Sequence, residues 1–198
     1  MNNTSFFGGV IYIDLRGYTR LVEEKILSNI ANIIYNYQDL IDSKVHDIFN
    51  NKQIAAIEYM GDGIMIIIKE LDMDNYVNES NKICKEIYEG SKKIKKSLIS
   101  FFEDQKEEYS GVEKLDFGIG ISCSKIFQKY HEKGNRKIFF GTSLNRAAKI
   151  GDSMNAKYNH IAIDKKMYDD YLLNTLDKLE RNRLKFRDKP LVHMYRID

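Results

Sequence analysis

The chain alternates short apolar runs with longer stretches in which apolar residues recur at helical spacing. Residues 6–14 are apolar and rich in β-favouring side chains, and they predict a buried strand that ends at Asp14. Residues 21–49 carry apolar side chains three and four positions apart, which predicts a long amphipathic helix. Two apolar runs at 54–60 and 64–68 follow, separated by a Gly-Asp-Gly step. An Asp-Gly pair between β-rich runs indicates a hairpin.

The rest of the chain continues the alternation of helix and strand patterns, with polar connections between them. The predictions are a helix over 75–102, a loop over 103–113, a strand over 115–123, a polar strand end and loop over 124–137, a helix over 141–153 capped by Thr142 or Ser143, a strand over 160–164, a helix over 165–180, and a tail of two strand-like halves that breaks at 188–190.

The order of these elements is β-α-β-β-α-β, followed by α-β-α-β-β. A β-α-β-β-α-β unit is the split, ferredoxin-like arrangement, in which helices and sheet form an α+β sandwich. The sequence therefore predicts an α+β fold with a ferredoxin-like core and a C-terminal α/β extension. The 198 residues contain neither an internal repeat nor a low-complexity linker, so we expect one domain over 1–198.

Composition narrows the function classes. The 31 basic and 29 acidic residues give a net charge of +2, which argues against a nucleic-acid-coating protein. Cys84 and Cys123 lie in no Cys-x-x-Cys pair, so neither a zinc site nor a disulfide framework is indicated, and a reducing compartment is expected. Residues 1–10 lack a signal-peptide pattern, and no apolar run is long enough to span a membrane. These features predict a cytoplasmic protein with no nucleic-acid or membrane partner.

Asp14 and Asp62 stand out because each lies beside glycine where a hydrophobic strand ends or bends. A carboxylate at the edge of a buried strand is costly unless it is paired or bound to a metal. Two such carboxylates together suit Mg²⁺, which takes one or two carboxylates and substrate phosphates. Each motif alone leaves a plainer interpretation open: Asp14 caps the next turn, and Asp62 belongs to an ordinary Asp-Gly hairpin.

Three motifs together resemble a known family. Asp-x-x-Gly-Tyr-Thr at 14–19, Gly-Asp-Gly at 61–63 and Gly-x-x-x-Asn-x-Ala-x-Lys at 141–149 are similar, in order and spacing, to the catalytic domain of class III nucleotide cyclases, the adenylate/guanylate cyclase family. The resemblance covers residues 7–195. That family has the same split β-α-β-β-α-β core that the periodicity predicts.

The resemblance implies a metal site and a phosphate-binding loop. Asp14 and Asp62 match the family's two metal-binding aspartates, which implies two Mg²⁺ or Mn²⁺ ions. The loop that holds the triphosphate matches Leu15, Arg16, Gly17, Tyr18 and Thr19. Backbone amides at the start of a helix bind anions, so this match is chemically reasonable.

The resemblance also implies a second set of catalytic residues. Asn145 matches the asparagine that positions the ribose, and Lys149 stands where the family usually has a transition-state arginine. Lysine keeps the charge but loses the bidentate fork. Arg146 is the alternative, although it lies about 100° away around the helix from Asn145. Arg187 falls where the family has a phosphate-binding lysine, and Lys189 is the fallback for that role.

Two positions match the side chains with which purine cyclases read the base. Glu58 occupies the first, where guanylate cyclases have Glu and adenylate cyclases Lys; Ile138 occupies the second, which is normally polar. Glu58 can accept a hydrogen bond from guanine, from the cytosine amino group or from the uracil imino N–H. Tyr59 can narrow the pocket, but strand alternation would turn it away from Glu58. The pair is neither a clean adenylate nor a clean guanylate pattern.

A further departure concerns residues 122–134, SCSKIFQKYHEKG, which replace the His-x-Gly and glycine-rich stretch of most purine cyclases. A short cyclase domain without a sensor domain, with lysine at position 149, most resembles the Pycsar pyrimidine cyclases of bacterial antiphage defence. Those enzymes make cyclic UMP or cyclic CMP, which activates a separate effector.

The activity implied is conversion of UTP or CTP to the 3′,5′-cyclic monophosphate and pyrophosphate. The family also implies a head-to-tail homodimer, in which the aspartates of one subunit meet the Asn/Lys helix of the other. Two alternatives stay open: a guanylate or adenylate cyclase, and an inactive cyclase-like nucleotide-binding module whose one support is Lys149.

Overall fold

The computed structural model describes residues 4–23, 27–70, 76–108, 115–177, 184–189 and 192–197. Its helices and strands, in chain order, are β1 (Thr4–Arg16), α1 (Tyr18–Glu23), α2 (Leu27–Ile48), β2 (Ile54–Met60), β3 (Gly63–Lys69), α3 (Tyr76–Glu108), β4 (Asp116–His131), β5 (Arg136–Phe140), α4 (Thr142–Gly151), β6 (Ile161–Asp164), α5 (Lys165–Met167), β7 (Leu184–Lys189) and β8 (Val192–Ile197).

The described strands form one sheet in the order β2-β3-β1-β4-β6-β8-β7, and β5 pairs with the outer end of β4. The first four strands pair antiparallel in the order β2-β3-β1-β4. That order is the split β-α-β-β-α-β arrangement, so the predicted α+β, ferredoxin-like core is confirmed. The sheet continues through the parallel pair β4–β6 and the antiparallel pairs β6–β8 and β8–β7, which supply the expected C-terminal α/β extension.

Helices cover both faces of the sheet because successive strand residues point to opposite sides. Ile11, Ile13 and Leu15 of β1 are buried in the large core that also contains the apolar residues of α2 and α3. Val10 points the other way, into a smaller core with Ala147 of α4. The helix α4 therefore packs on the face opposite to α2 and α3, the face that also carries Tyr12.

Helix α4 lies unusually close to the sheet. A Cβ atom on Gly120 would overlap the carbonyl oxygen of Ala147, and one on Gly118 would overlap the carbonyl oxygen of Gly151. The backbones of α4 and β4 therefore touch directly, which only glycine on the strand permits. This contact fixes the height of α4 above the sheet.

Two of the predicted helices have different limits in the structure. The helix expected over 21–49 is divided into α1 and α2, with residues 24–26 outside the described part. The helix expected to end at 102 continues to Glu108, so the prediction of a loop from 103 is wrong for residues 103–108. Glutamate, glutamine and lysine are good helix formers, and a charged segment can therefore extend a helix at the surface.

The polar segment 124–137 is not mainly a loop. Strand β4 continues to His131, and β5 pairs back along it. A short 3₁₀ turn joins them; the backbone N–H of Gly134 donates to Nδ1 of His131 at 3.0 Å, and Asn135 adopts the left-handed conformation with φ 46°. The hairpin was missed because most of its side chains face solvent and only Ile126 and Phe139 reach the core.

The predicted cap of α4 is wrong. The N-cap residue is Gly141, and neither Thr142 nor Ser143 makes a side-chain cap bond. Instead the Ser124 hydroxyl of β4 accepts from the backbone N–H of Ser143 at 3.3 Å. A side chain from a neighbouring strand therefore satisfies one of the free amides at the start of the helix.

The C-terminal elements are partly as predicted. The strand over 160–164 is β6, but the helix expected over 165–180 is only α5, followed by a π-helical turn over Tyr168–Leu172. The two tail strands are present as β7 and β8; the break predicted at 188–190 is wrong for residues 188 and 189, which belong to β7, and residue 190 lies outside the described part. Within the described part of the chain, every helix is too short or too polar to cross a membrane.

Candidate active site

Sheet pairing brings the two selected aspartates together. Asp14 on β1 lies directly opposite Gly63 of β3, and Asp62 immediately precedes Gly63 in the hairpin turn. Gly61 adopts φ +68°, a left-handed conformation that glycine allows at little cost, and so the turn places Asp62 at the end of β3. Backbone pairing thus places the strand end that carries Asp14 next to the turn that carries Asp62.

The surroundings of Asp14 favour an added positive charge. Burial raises the pKa of Asp14; Arg16 opposes the shift, while the carboxylates of Asp152 and Asp62 add to it. Two like charges near one half-buried carboxylate repel it, so a cation among the three would be stabilised. Asp152 is exposed, at the C-terminal end of α4. No sequence pattern links Asp152 to the other two aspartates, because only the packing of α4 brings it near β1.

Two tyrosines lie beside the aspartates. The Tyr12 ring covers the two glycines Gly63 and Gly151; a Cβ on either would come within 2.6–2.7 Å of it. Burial, together with Asp14, Asp152 and Asp62, raises the pKa of Tyr12 to about 12. Tyr37 of α2 is fully buried, and its hydroxyl has no hydrogen-bond partner among the described residues.

Burial, with added effects of Asp14 and Asp62, raises the pKa of Tyr37, so both tyrosine hydroxyls stay protonated at neutral pH. The two carboxylates offer hard oxygen donors of the kind that Mg²⁺ and Mn²⁺ prefer. Among the described residues no three His, Cys, Asp or Glu side chains are grouped to enclose a metal ion. A cation held by two carboxylates keeps open positions for a phosphate ligand.

The residues after Asp14 have unequal access to a ligand. The Leu15 side chain is 1% exposed and belongs to the core, so only its backbone can take part in binding. Gly17 adopts φ 82°, which lets β1 turn into α1 within one residue. Thr19 is exposed on α1 and Tyr18 packs partly against the core. The Arg16 guanidinium, in contrast, donates to backbone carbonyls at the end of α4.

Helix α4 presents Asn145 and Lys149 on one exposed face, while Ala147 and Ile150 are buried against the sheet. Neither Asn145 nor Lys149 has a side-chain hydrogen bond or ion pair within the described part of the chain. Positions i and i+4 share a helix face, so both side chains can reach the same ligand.

Arg146 has different surroundings. Its Nη1 lies 3.1 Å from Oδ2 of Asp164, a carboxylate that is 4% exposed, and the Ser122 hydroxyl donates to the same oxygen at 2.9 Å. A buried carboxylate needs such a partner. Arg146 is therefore held by β6, and this geometry favours Lys149 as the cation that is free to meet a ligand beside Asn145.

The two side chains expected to read a base line one pocket. Residues 58–60 at the end of β2 and residues 136–139 of β5 enclose a volume of ≈ 540 Å³. Glu58 and Ile138 both line it, although they are 80 positions apart. Glu58 lies on the same sheet face as Tyr12, since both residues pair with Met65.

Tyr59 also lines the pocket but points elsewhere: its hydroxyl donates to Oδ1 of Asp42 on α2 at 3.2 Å. The pocket contains two cations that sequence reasoning did not select, Arg136 and Lys137. The polar character of 124–137 predicts a loop, so sequence patterns single out neither residue. Residues 136–140 are two basic residues followed by three apolar ones and show no strand alternation.

Arg187 and Lys189 lie at the edge of the sheet that is far from the aspartates. They lie in β7, opposite Met194 and Val192, and the structure describes their backbone but not their side chains. Three strands separate β7 from β1, a distance of about 19 Å at the spacing of paired strands. Within one chain, β7 is therefore not placed beside Asp14.

Comparisons with known proteins identify the fold. No protein-family model and no curated protein sequence matches the chain. Among solved structures, the adenylyl cyclase CyaB from P. aeruginosa is similar with a TM-score of 0.74 and 16% sequence identity, over 100% of this chain and 96% of that one. The guanylyl cyclase Cya2 is similar with a TM-score of 0.72 and 16% identity, over 100% and 94%.

A third similar structure is the guanylyl cyclase domain of the RhoGC fusion protein from the aquatic fungus Blastocladiella emersonii, with a TM-score of 0.70 and 10% identity over 100% of this chain and 98% of that one. At these identities the shared feature is the fold. The chain thus has the mixed α+β fold of class III cyclase domains, with a central, mostly antiparallel sheet covered by helices.

Proposed function

We propose that residues 1–198 act as one catalytic domain, a nucleotide cyclase of the class III type. The observation that carries this proposal is the placement of Asp14 and Asp62 side by side across the β1–β3 pair, in a fold shared with adenylyl and guanylyl cyclases. Asn145 and Lys149, on the exposed face of α4, supply the second set of functional groups.

In the proposed reaction, the ribose 3′-oxygen of a nucleoside triphosphate attacks the α-phosphorus. A new P–O bond closes the ring, the bond from the α-phosphorus to the bridging oxygen of the β-phosphate breaks, and pyrophosphate leaves with that electron pair. The 3′-hydroxyl proton leaves to solvent. Asn145 orients the sugar, and Lys149 stabilises negative charge that develops on the α-phosphate.

Asp14 and Asp62 would hold one or two Mg²⁺ or Mn²⁺ ions, which, when bound, lower the pKa of the attacking hydroxyl and neutralise phosphate charge. The half-buried Asp14, repelled by Asp62 and Asp152, fits that role. Backbone amides between Leu15 and Thr19 would contact the triphosphate.

A homodimer completes the site. Arg187 and Lys189, the candidates for binding the triphosphate, lie on β7, which three strands separate from β1 in the same chain. We infer that a second copy of the chain brings its own β7 and α4 to the Asp14–Asp62 pair. Twofold symmetry then makes two equivalent active sites.

A pyrimidine substrate, UTP or CTP, accounts best for the base pocket. Glu58 offers one acceptor, and Ile138 offers no side-chain hydrogen bond. A single acceptor can serve the cytosine amino group or the uracil imino N–H. Guanine is the alternative that Glu58 supports. The cyclic pyrimidine nucleotide would then act as a messenger in antiphage defence, as in the Pycsar systems that the sequence resembles.

The test is incubation with ATP, GTP, CTP and UTP, each with Mg²⁺ or Mn²⁺, followed by mass spectrometry of the products. We expect cyclic UMP or cyclic CMP together with pyrophosphate. Asp62→Ala should abolish the product, whereas Asp47→Asn, at an exposed ion pair on α2, should leave it unchanged. Nucleotide binding without product from any of the four would instead show an inactive cyclase-like binding module.

A further inference from the structure

Arg16 contacts two parts of the molecule that have different roles in the proposed function. They are the acidic site at Asp14 and the helix α4, which carries Asn145 and Lys149. Arg16 places Nη2 3.6 Å from Oδ2 of Asp14. Its Nε donates to the carbonyl oxygen of Met154 at 2.7 Å, and Nη2 donates to those of Gly151, at 3.1 Å, and Asp152. One guanidinium thus contacts both the acidic site and the C-terminal end of α4.

The charges favour this position. The last carbonyls of a helix are unsatisfied and carry a partial negative charge, so a cation stabilises that end. The carbonyls of Asp152 and Met154 lie just beyond that end, and the Gly151 carbonyl, which accepts from the backbone N–H of Met154 at 3.0 Å, also accepts from Arg16. The guanidinium therefore lies between two negative features, the end of α4 and the Asp14 carboxylate. Its planar fork lets it bond several acceptors at once, which lysine cannot do.

Packing and hydrogen bonds both hold the end of α4: Met154 is fully buried, the Tyr12 ring covers Gly151, and Arg16 adds charged hydrogen bonds. The Arg146–Asp164 pair holds the middle of the helix, and glycines of β4 set its height above the sheet. Beyond Gly151 the chain turns through Asp152 and Ser153, both at least partly exposed. Arg16 of β1 donates hydrogen bonds to carbonyls of this turn. Lys149 lies less than one turn before the anchored carbonyls.

We propose that Arg16 is a positioning residue that couples the charge at Asp14 to the position of the Lys149 end of α4. A cation held by the Asp14 carboxylate shares that carboxylate with the guanidinium. The guanidinium charge is then balanced mainly by the helix carbonyls, and its bonds to them become stronger.

This coupling rests on the proposed function, and it has a consequence for the dimer. Asp14 and α4 of one chain would serve two different active sites. Arg16 therefore lies between the two sites, so that cation binding in one site positions Lys149 in the other. The sequence motifs do not indicate this coupling. It is also separate from the triphosphate-binding role that the family resemblance implies for Arg16.

Amide hydrogen exchange measures the coupling without any turnover. Peptides that cover residues 148–158 report on the amides of Asp152, Ser153 and Met154, which bond back into the end of α4. The full chain is compared with and without Mn²⁺, as wild type, Arg16→Gln and Arg16→Lys. Calorimetry with Mn²⁺ measures binding in parallel. Lys44→Gln, at an exposed ion pair on α2, is the control.

We expect Mn²⁺ to slow exchange over 148–158 by about threefold in wild type and in Lys44→Gln, the size of a charge effect at a helix end. Arg16→Gln should bind Mn²⁺ but lose this response, and Arg16→Lys should recover part of it. A purely structural role would speed exchange equally with and without Mn²⁺.

Three results overturn the coupling. The first is an unchanged Mn²⁺ response in Arg16→Gln. The second is no response in wild type although calorimetry shows Mn²⁺ binding; that result leaves the proposed metal site standing. The third is no Mn²⁺ binding at all, with or without nucleotide, which overturns the metal site of the proposed function and the coupling with it.

Discussion

Lys149 and Arg146 lie three positions apart on α4 but have different surroundings, and their substitutions should therefore differ in effect. Lys149 is exposed without a partner among the described residues, whereas Arg146 pairs with the buried Asp164. We expect Lys149→Ala to lower kcat by about 10²–10³-fold, the usual effect of removing one transition-state contact, with unfolding free energy unchanged. Lys149→Arg should keep most of the activity.

Arg146→Ala should show the opposite pattern. It leaves the Asp164 carboxylate without its cation, and because Arg146 is 38% exposed we expect a loss of only about 1–2 kcal/mol in unfolding free energy. Steady-state kinetics and urea denaturation of both variants measure the two effects. A large kcat loss in a stable Arg146→Ala, with an active Lys149→Ala, would assign the transition-state role to Arg146.

Substitutions at the neighbouring residues Glu58 and Tyr59 distinguish recognition of the base from maintenance of the pocket structure. Glu58→Ala removes the side-chain acceptor, so kcat/KM for the preferred triphosphate should fall about 10–100-fold and selectivity among the four should narrow. Tyr59→Phe removes only the hydroxyl bonded to Asp42 and should keep the base preference. Competition among the four triphosphates measures both variants. Unchanged selectivity in Glu58→Ala would remove Glu58 from base recognition.

The sequence predicts site residues that belong to a short local motif. It does not predict residues that come together only when helices pack on the sheet. Asp14 and Asp62 lie at a strand end and in a hairpin turn, and sequence-local signals locate both. Tyr37 and Asp152 approach them from α2 and from the C-terminal end of α4. Nothing near each of these residues in the sequence indicates that approach, since it depends on how α2 and α4 pack on the sheet.

At the scale of elements, the contact between α4 and β4 depends on two strand glycines. Gly120→Ala places a Cβ against the carbonyl oxygen of Ala147, so α4 must move away. We expect a loss of about 3 kcal/mol in unfolding free energy from this overpacking. Cyclase activity should fall by more than the unfolded fraction of the protein explains, because Asn145 and Lys149 move with the helix.

Gly61→Ala is the matched control for that substitution. A Cβ on Gly61 meets nothing within 4 Å, and its φ of +68° alone should cost about 1 kcal/mol. Urea denaturation and circular dichroism measure both variants. Equal destabilisation by the two substitutions would contradict a direct backbone contact between α4 and β4.

Elements with a clear hydrophobic period were predictable from the sequence. The strands β1, β2 and β3 each carry an apolar run, and α2 and α3 carry one apolar face. The hairpin of β4 and β5 was not predictable, because its residues 128–138 are mostly exposed and pair by backbone hydrogen bonds. Its pairing completes the pocket that Glu58 and Ile138 line, so that pocket could not be assembled from sequence patterns alone.

At the scale of the molecule, the candidate functional groups lie on distant strands of one sheet. The acidic pair is on β1 and in the β2–β3 turn, while β7, with Arg187 and Lys189, is at the far edge of the sheet. The order of the first four strands follows from the predicted β-α-β-β-α-β connection. The order of β6, β8 and β7 does not, because a short strand can pair at either edge of such a core.

A dimer with shared sites predicts how inactive variants behave in mixtures. Asp62→Asn removes a carboxylate from one half of each site, and Lys149→Ala removes a cation from the other half. A mixed dimer of the two variants has one site with both halves intact. The double variant is the control: mixed with wild type, it should form dimers with no intact site and lower the wild-type rate.

Cyclase activity of the Asp62→Asn and Lys149→Ala mixture is the most direct test of the central claim, since it requires the reaction, the residue roles and the shared site together. Each variant alone should be inactive. Random exchange makes half of the dimers mixed, each with one of two sites intact, so the mixture should recover about a quarter of the wild-type rate. A mixture that stays as inactive as its two components, although the wild type is active and both variants fold and exchange subunits, would contradict the account.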